Sequence, residues 1–139
     1  MDKEPTPVNL GDKVKGEIQL PSIDVSQYVG RKTKIAKVEE FEGQYGYFVK
    51  MTSEVIDMPT LKDGKPMLDK EGNPIELRAT RIFGLQTDSN GNIGWGADTK
   101  LAAYLAKFKV KHYRDLVGRE AVVQTVLNKN DGKEYLTIA

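Results

Sequence analysis

The chain has 139 residues, with 21 Lys+Arg against 20 Asp+Glu and a formal net charge of +1. That length suits one domain with a real core, and the absence of cysteine excludes a disulfide scaffold, a Cys-based zinc site and a cysteine nucleophile. A single histidine, His112, leaves no multi-His metal site, and no apolar run approaches the ~20 residues that span a bilayer.

Residues 1–27 read as a flexible arm, charged and bearing two early prolines, with little to bury. The arm has no apolar h-region, so no secretory signal is expected and the expected compartment is the cytoplasm. Leu20 to Val25 is where the arm is expected to begin docking on the folded part, residues 28–139. Arg31 to Glu40 is the first predicted strand; Ile35 and Val38 fall out of alternation, which predicts a bulge. A turn at 42–46 leads to a second strand, Tyr47 to Ile56, with Tyr47, Val49 and Met51 on one face and Phe48, Lys50 and Thr52 on the other. The prolines and glycines of 57–74 make a long loop, with room for a small hairpin of its own. Ile75 to Gln86 is the third strand, followed by a glycine-rich connection that holds the only tryptophan, Trp95.

Asp98 is the expected N-cap of a helix from Thr99 to about Lys109, whose Leu101, Leu105 and Phe108 fall on one stripe. A turn or short helix over 110–116, closed by Gly118, precedes the fourth strand, Arg119 to Leu127. A polar turn at 128–133 and a fifth strand, Glu134 to Ile138, complete the order β, β, β, α, β, β.

An open five-stranded sheet of this length would expose long edges. Closing it into a small Greek-key barrel, with the helix between strands three and four, removes them. The element order over residues 28–139 resembles the OB-fold. Asp115 to Val123, DLVGREAVV, is similar to a common entry into the fourth strand of such proteins, and Tyr28 to Ile35, YVGRKTKI, to the entry into the first. The nearest resemblance is to small single-stranded-DNA-binding proteins of the phage or archaeal kind. It implies sequence-tolerant binding of single-stranded DNA, with RNA as an alternative strand, in replication, recombination or repair. Bacterial single-strand-binding proteins end in an acidic recruitment tail; this sequence ends at Leu136 to Ala139, so recruitment would fall to the acidic arm.

Single strands are held by aromatic platforms and a basic groove. The predicted charge comes from Lys34, Lys37, Lys50, Arg78, Arg81, Lys129 and Lys133, and the predicted stacking from Phe48, Phe83, Trp95 and Tyr135. Phe48 and Phe83 are equally suited to the core, Trp95 is better suited to capping the barrel, and the last turn can equally be a solvated one. Between Lys107 and Lys133, seven basic residues face three acidic ones, which permits an anionic partner without requiring it. Loop 57–74 carries three basic and four acidic residues and suits a protein partner as well as nucleic acid. An assembly module without nucleic-acid binding is therefore the second expectation.

No metal, cofactor or catalysis is expected. Asp88 to Asn92 starts like an EF-hand loop, but Ile93 stands where glycine is needed and Thr99 where a bidentate Glu is needed. There is no G-x-S-x-G elbow and no phosphate-cradling glycine loop, and His112 sits among Lys109, Lys111 and Arg114.

Overall fold

The computed structural model describes residues 5–17 and 23–139. Five strands close into a barrel: β1 (Lys32–Gly43), β2 (Gly46–Ser53), β3 (Thr80–Gly84), β6 (Glu120–Leu127) and β7 (Glu134–Ile138), in the order β1-β2-β3-β7-β6. All neighbours are antiparallel except β3 and β7, which run parallel and meet at Thr80 and Thr137. The first stretch of β1, Lys32 to Lys34, pairs back with Glu120 to Val122 of β6 and completes the ring. The described residues are thus mostly β, with one α-helix, α1 (Lys100–Phe108), between the third and fourth barrel strands in sequence. This is the OB-like arrangement expected from the element order. No helix among the described residues is long and apolar enough to cross a membrane.

The bulge predicted near Ile35 is present: the β1–β2 register shifts between Ile35 and Lys37. The extra residue returns Ile35 and Val38 to the same inner face, opposite Ser53 and Met51. Inward side chains from every barrel strand, including Ile35, Val49, Met51, Phe83, Val123 and Ile138, form one buried core. Helix α1 adds Leu101, Tyr104 and Leu105, with Phe108 packed beside them. Tyr104 belongs to this stripe although only Leu101, Leu105 and Phe108 were expected on it. Its ring lies 5.0 Å from that of Phe83, joining helix to sheet.

The helix cap differs from expectation. Thr99, not Asp98, is the N-cap: its hydroxyl accepts from the Ala102 amide at 3.2 Å and donates to the Gly96 carbonyl at 2.7 Å. The third strand is shorter than the expected 75–86. Ser53 explains its start: its hydroxyl takes the Ala79 N–H at 2.8 Å, so a side chain replaces a rung of the ladder. After Gly84 the chain leaves the barrel into a small hairpin, β4 (Gln86–Thr87) with β5 (Ile93–Gly94). Asp88 serves that hairpin, its carboxylate accepting from the Asn90 and Asn92 amides at 2.9 Å each.

The long loop is a built finger. Asp57 bridges to Leu77 at its base, and Thr60–Pro66 and Leu68–Pro74 bridges close two successive turns. Asp69 accepts from the Glu71 and Asn73 amides inside the second turn. Part of the predicted docking segment, residues 20–22, lies outside the described residues. Ile23 and Val25 pack against the core, and a 3-10 turn, Val25–Tyr28, buries Tyr28. The Tyr28 hydroxyl donates to Asp57 at 2.6 Å and ties this entry to the base of the finger.

Three buried tyrosines make an alkaline prediction. Burial, first of all, pushes Tyr28, Tyr104 and Tyr113 from 10.0 up to about 12; hydrogen bonds to Asp57 and Glu40 add to it for Tyr28 and Tyr113. A folded pKa above the unfolded one means stability that is fully present below pH 10 and lost as pH rises towards about 12. The melting temperature should therefore fall steeply over that interval, with phenolate absorbance rising together with unfolding. Independent titration of all six tyrosines near pH 10, with the melting temperature unmoved, would contradict the packing described.

Candidate functional site

The outer face of the barrel is where side chains are left for a partner. The β1–β2 hairpin builds its first half. Gly46 at φ +123° and the two-residue turn Gln44–Tyr45 set the pairing, which puts Phe41 directly opposite Phe48. Their rings stack at 5.2 Å with 21° between planes. Gly43 makes room for this: a Cβ there would stand 3.1 Å from the Phe48 ring. Next along the face, Lys50 lies opposite Glu39 on β1 and opposite Ile82 on β3. Tyr45, at the tip of the hairpin, is 96% exposed.

The second half is a cleft of about 380 Å³ between β3 and the β6–β7 pair, with Ile82, Val126 and Tyr135 on its walls. Ile82 and Val126 are exposed, an unusual placement for large aliphatic side chains unless something covers them. Tyr135 is 45% exposed and its hydroxyl donates to Asp131, which fixes the ring beneath the 128–133 turn. That bond holds the Asp131 carboxyl below its usual range and raises the Tyr135 phenol. Lys129 and Lys133 stand on the same turn.

Some of the predicted residues belong to this face and others do not. Phe48, Lys50 and Tyr135 are on it, with Lys129 and Lys133 at its edge. Arg81 and Phe83, expected to supply charge and stacking, are not on it. Phe83 pairs with Val49 and Arg81 with Met51, so both point inward. Phe83 is 6% exposed and has no free ring face for a base. The Arg81 guanidinium rests over the Phe83 and Tyr104 rings, 5.1 and 5.3 Å from their centroids. Tyr47 also departs from expectation. Alternation sets it on the face of Val49 and Met51, but the hairpin runs past the barrel there and leaves Tyr47 exposed opposite Glu42.

The cations divide the same way. Lys37 pairs with Glu39 at 3.3 Å, and Arg78 pairs with Glu76 at 3.4 Å while donating to the Ser53 carbonyl at 3.1 Å. Among the described residues, the ammonium groups of Lys34, Lys50, Lys129 and Lys133 have no carboxylate within 4 Å. Lys34 lies on the stretch of β1 that pairs with β6, five residues before Glu39, and so outside the Phe41–Phe48–Lys50 group. Trp95 takes the capping role favoured for it. It is half-buried against the core, with His112 edge-on at 5.2 Å and Tyr113 at 5.5 Å. Tyr113 in turn donates to Glu40, whose carboxyl is held below its usual range chiefly by that bond.

Comparison with models of known families, with curated proteins and with solved structures gives no match to this chain. What the site can do therefore rests on its own chemistry. Among the described residues no group of three or more His, Cys, Asp or Glu is placed to hold a metal ion. The face offers two kinds of contact: apolar and aromatic surface for flat rings, and lysines at its centre and rim for anions.

Phe41, Ile82 and Val126 were missed in the sequence, as was Tyr45. Phe41 was readable. It precedes the Gln44–Tyr45 turn by as many residues as Phe48 follows it, which in a two-residue hairpin makes the pair cross-strand partners.

Proposed function

We propose that this barrel binds single-stranded nucleic acid, DNA in preference, with little sequence specificity, and acts as a binder rather than a catalyst. One observation carries the reading: the stacked Phe41–Phe48 pair beside Lys50, whose cross-strand neighbour Glu39 pairs with Lys37 instead, on the outer face of β1 to β3. In OB-folds the face of the second and third strands, with the loops after the first and fourth, is where oligonucleotides bind. Here those loops carry Tyr45 on one side and Lys129 with Lys133 on the other. A base extends the aromatic stack, every base having a π-face to offer, and the lysines follow the phosphates. A net charge of +1 makes the attraction local to this face. Service in replication, recombination or repair is the setting such binding suits.

The test is an anisotropy titration of labelled oligo-dT at ~50 and ~200 mM salt, with duplex DNA and single-stranded RNA of equal length as controls. Three or four lysines on phosphates give a log–log salt slope of about −2 to −3, at roughly −0.7 per contact. Duplex should bind much more weakly. No binding to oligo-dT at ~50 mM salt and ~10 µM protein would end this reading.

A second reading has its own support. The finger 57–77 presents Met58, Leu61 and Leu68 to solvent, apolar surface suited to a partner protein. On that reading the chain is an assembly module, and its association would be nearly indifferent to salt.

A further inference from the structure

Beside α1, away from the Phe41–Phe48 pair, lies an open cavity of about 360 Å³ lined by Arg81, Lys100, Ala103, Tyr104, Lys107 and Ala139. Three of its six residues are cations and no Asp or Glu lines it; Ala139, also on its wall, carries the chain's terminal carboxyl, which makes no ion pair within 4 Å among the described residues. Lys100 and Lys107 are two helical turns apart and project on the same side of α1, with the small Ala103 between them leaving the opening clear. Among the described residues none of the three cations has a carboxylate within 4 Å. Arg81 is held from below by the Phe83 and Tyr104 rings. A single long hydrogen bond, Nη1 to the Ile138 carbonyl at 3.4 Å, is its one protein acceptor among the described residues. A guanidinium has five N–H donors, so most of this group's donors are left for a ligand. A pre-oriented fork between two lysines suits a phosphate better than a point charge.

Arg81 also lines the cleft that holds Ile82, Val126 and Tyr135. The cleft and the α1 pocket therefore share a wall. We infer that the α1 pocket takes a backbone phosphate of a single strand leaving the outer face through the β3–β7 cleft, so that the helix extends the binding track. This rests on the nucleic-acid reading above.

The experiment compares wild type with the Lys100→Gln/Lys107→Gln double variant on oligo-dT of about 6 and about 15 nucleotides, lengths within the span of one such barrel. Both lysines are exposed, and far-UV circular dichroism with a melting curve checks that the variant folds. The short strand, seated on the outer face, should bind both proteins alike. The long strand should bind the variant more weakly, by about tenfold or more, at ~50 mM salt, with the salt slope reduced by about 0.7, the share of one phosphate. Equal affinities and slopes for the long strand, with the wild type binding both oligonucleotides, would overturn the inference and leave the outer-face reading intact. An equal loss on both lengths would also overturn it, because the lysines would then be part of the short site. No binding by the wild type would remove both.

Discussion

Replacing Phe48 with alanine is expected to weaken oligo-dT binding by about 1–3 kcal/mol, roughly five- to 150-fold, at fixed salt. Phe48 stacks on Phe41 and faces outward beside Lys50, so its loss removes both a platform and the support of its neighbour. Phe41→Ala should do the same. The double variant should lose less than the sum, because the two rings touch and share one stack. Lys50→Ala should act differently, reducing the salt slope by about 0.7 with little change in the stacking contribution. Phe83→Ala is the internal control. Its ring is in the core, and the expected cost is about 3–5 kcal/mol of folding stability, while the protein that remains folded keeps its affinity for a strand of about 6 nucleotides seated on the outer face. Phe83→Ala impairing binding in a fully folded protein, with Phe48→Ala silent, would reverse the assignment of faces and refute the site.

That assignment marks where the sequence was readable and where it was not. In the β1–β2 hairpin the partner numbers sum to 89 from Gly43–Gly46 back to Lys37–Thr52, because a two-residue turn fixes register rigidly. The bulge was legible because Ile35 and Val38 both need the core and plain alternation cannot put them there. The last hairpin was legible for similar reasons: a short polar turn separates two alternating strands. The face of β3 was not, because residues 54–79 intervene before it and a loop that long carries no register. Ile82 and Phe83 are both large and apolar, and hydrophobicity alone does not say which is buried. Phe83 goes inward because Tyr104 of α1 is there to meet it, a contact made across a sequence gap no local pattern spans. Arg81 follows by alternation, trading the outer face for the two aromatic rings. Thr99 takes the cap over Asp98 because its hydroxyl serves two partners at once, donating to Gly96 and accepting from Ala102. Either residue type suits an N-cap, so composition could not rank them.

Ile138→Ala is expected to remove about 2–5 kcal/mol of stability, a large part of the ~5–15 kcal/mol typical of a single domain. The reason is the way the barrel closes. β3 and β7 meet at a single paired position, Thr80 with Thr137, reinforced by the Thr137 hydroxyl donating to the Thr80 carbonyl at 2.7 Å. So short a seam depends on packing behind it. Ile138 is fully buried, faces Val123 on β6, and its carbonyl receives Arg81 from β3 and Tyr104 from α1. Truncating its side chain leaves a cavity where three elements converge, and it loosens the strand that carries Tyr135 on its other face. Thr137→Val separates packing from hydrogen bonding, since it keeps the shape and removes the hydroxyl; its cost should be only about 1 kcal/mol. Denaturant unfolding with unchanged m-values would measure both. If Ile138→Ala costs less than Thr137→Val, the seam is held by its hydrogen bond and the core does not reach the end of β7. If the order is as expected, oligo-dT affinity should still fall modestly in the Ile138→Ala protein at temperatures where it is fully folded. The cleft between Ile82 and Tyr135 is only as well formed as the seam beneath it.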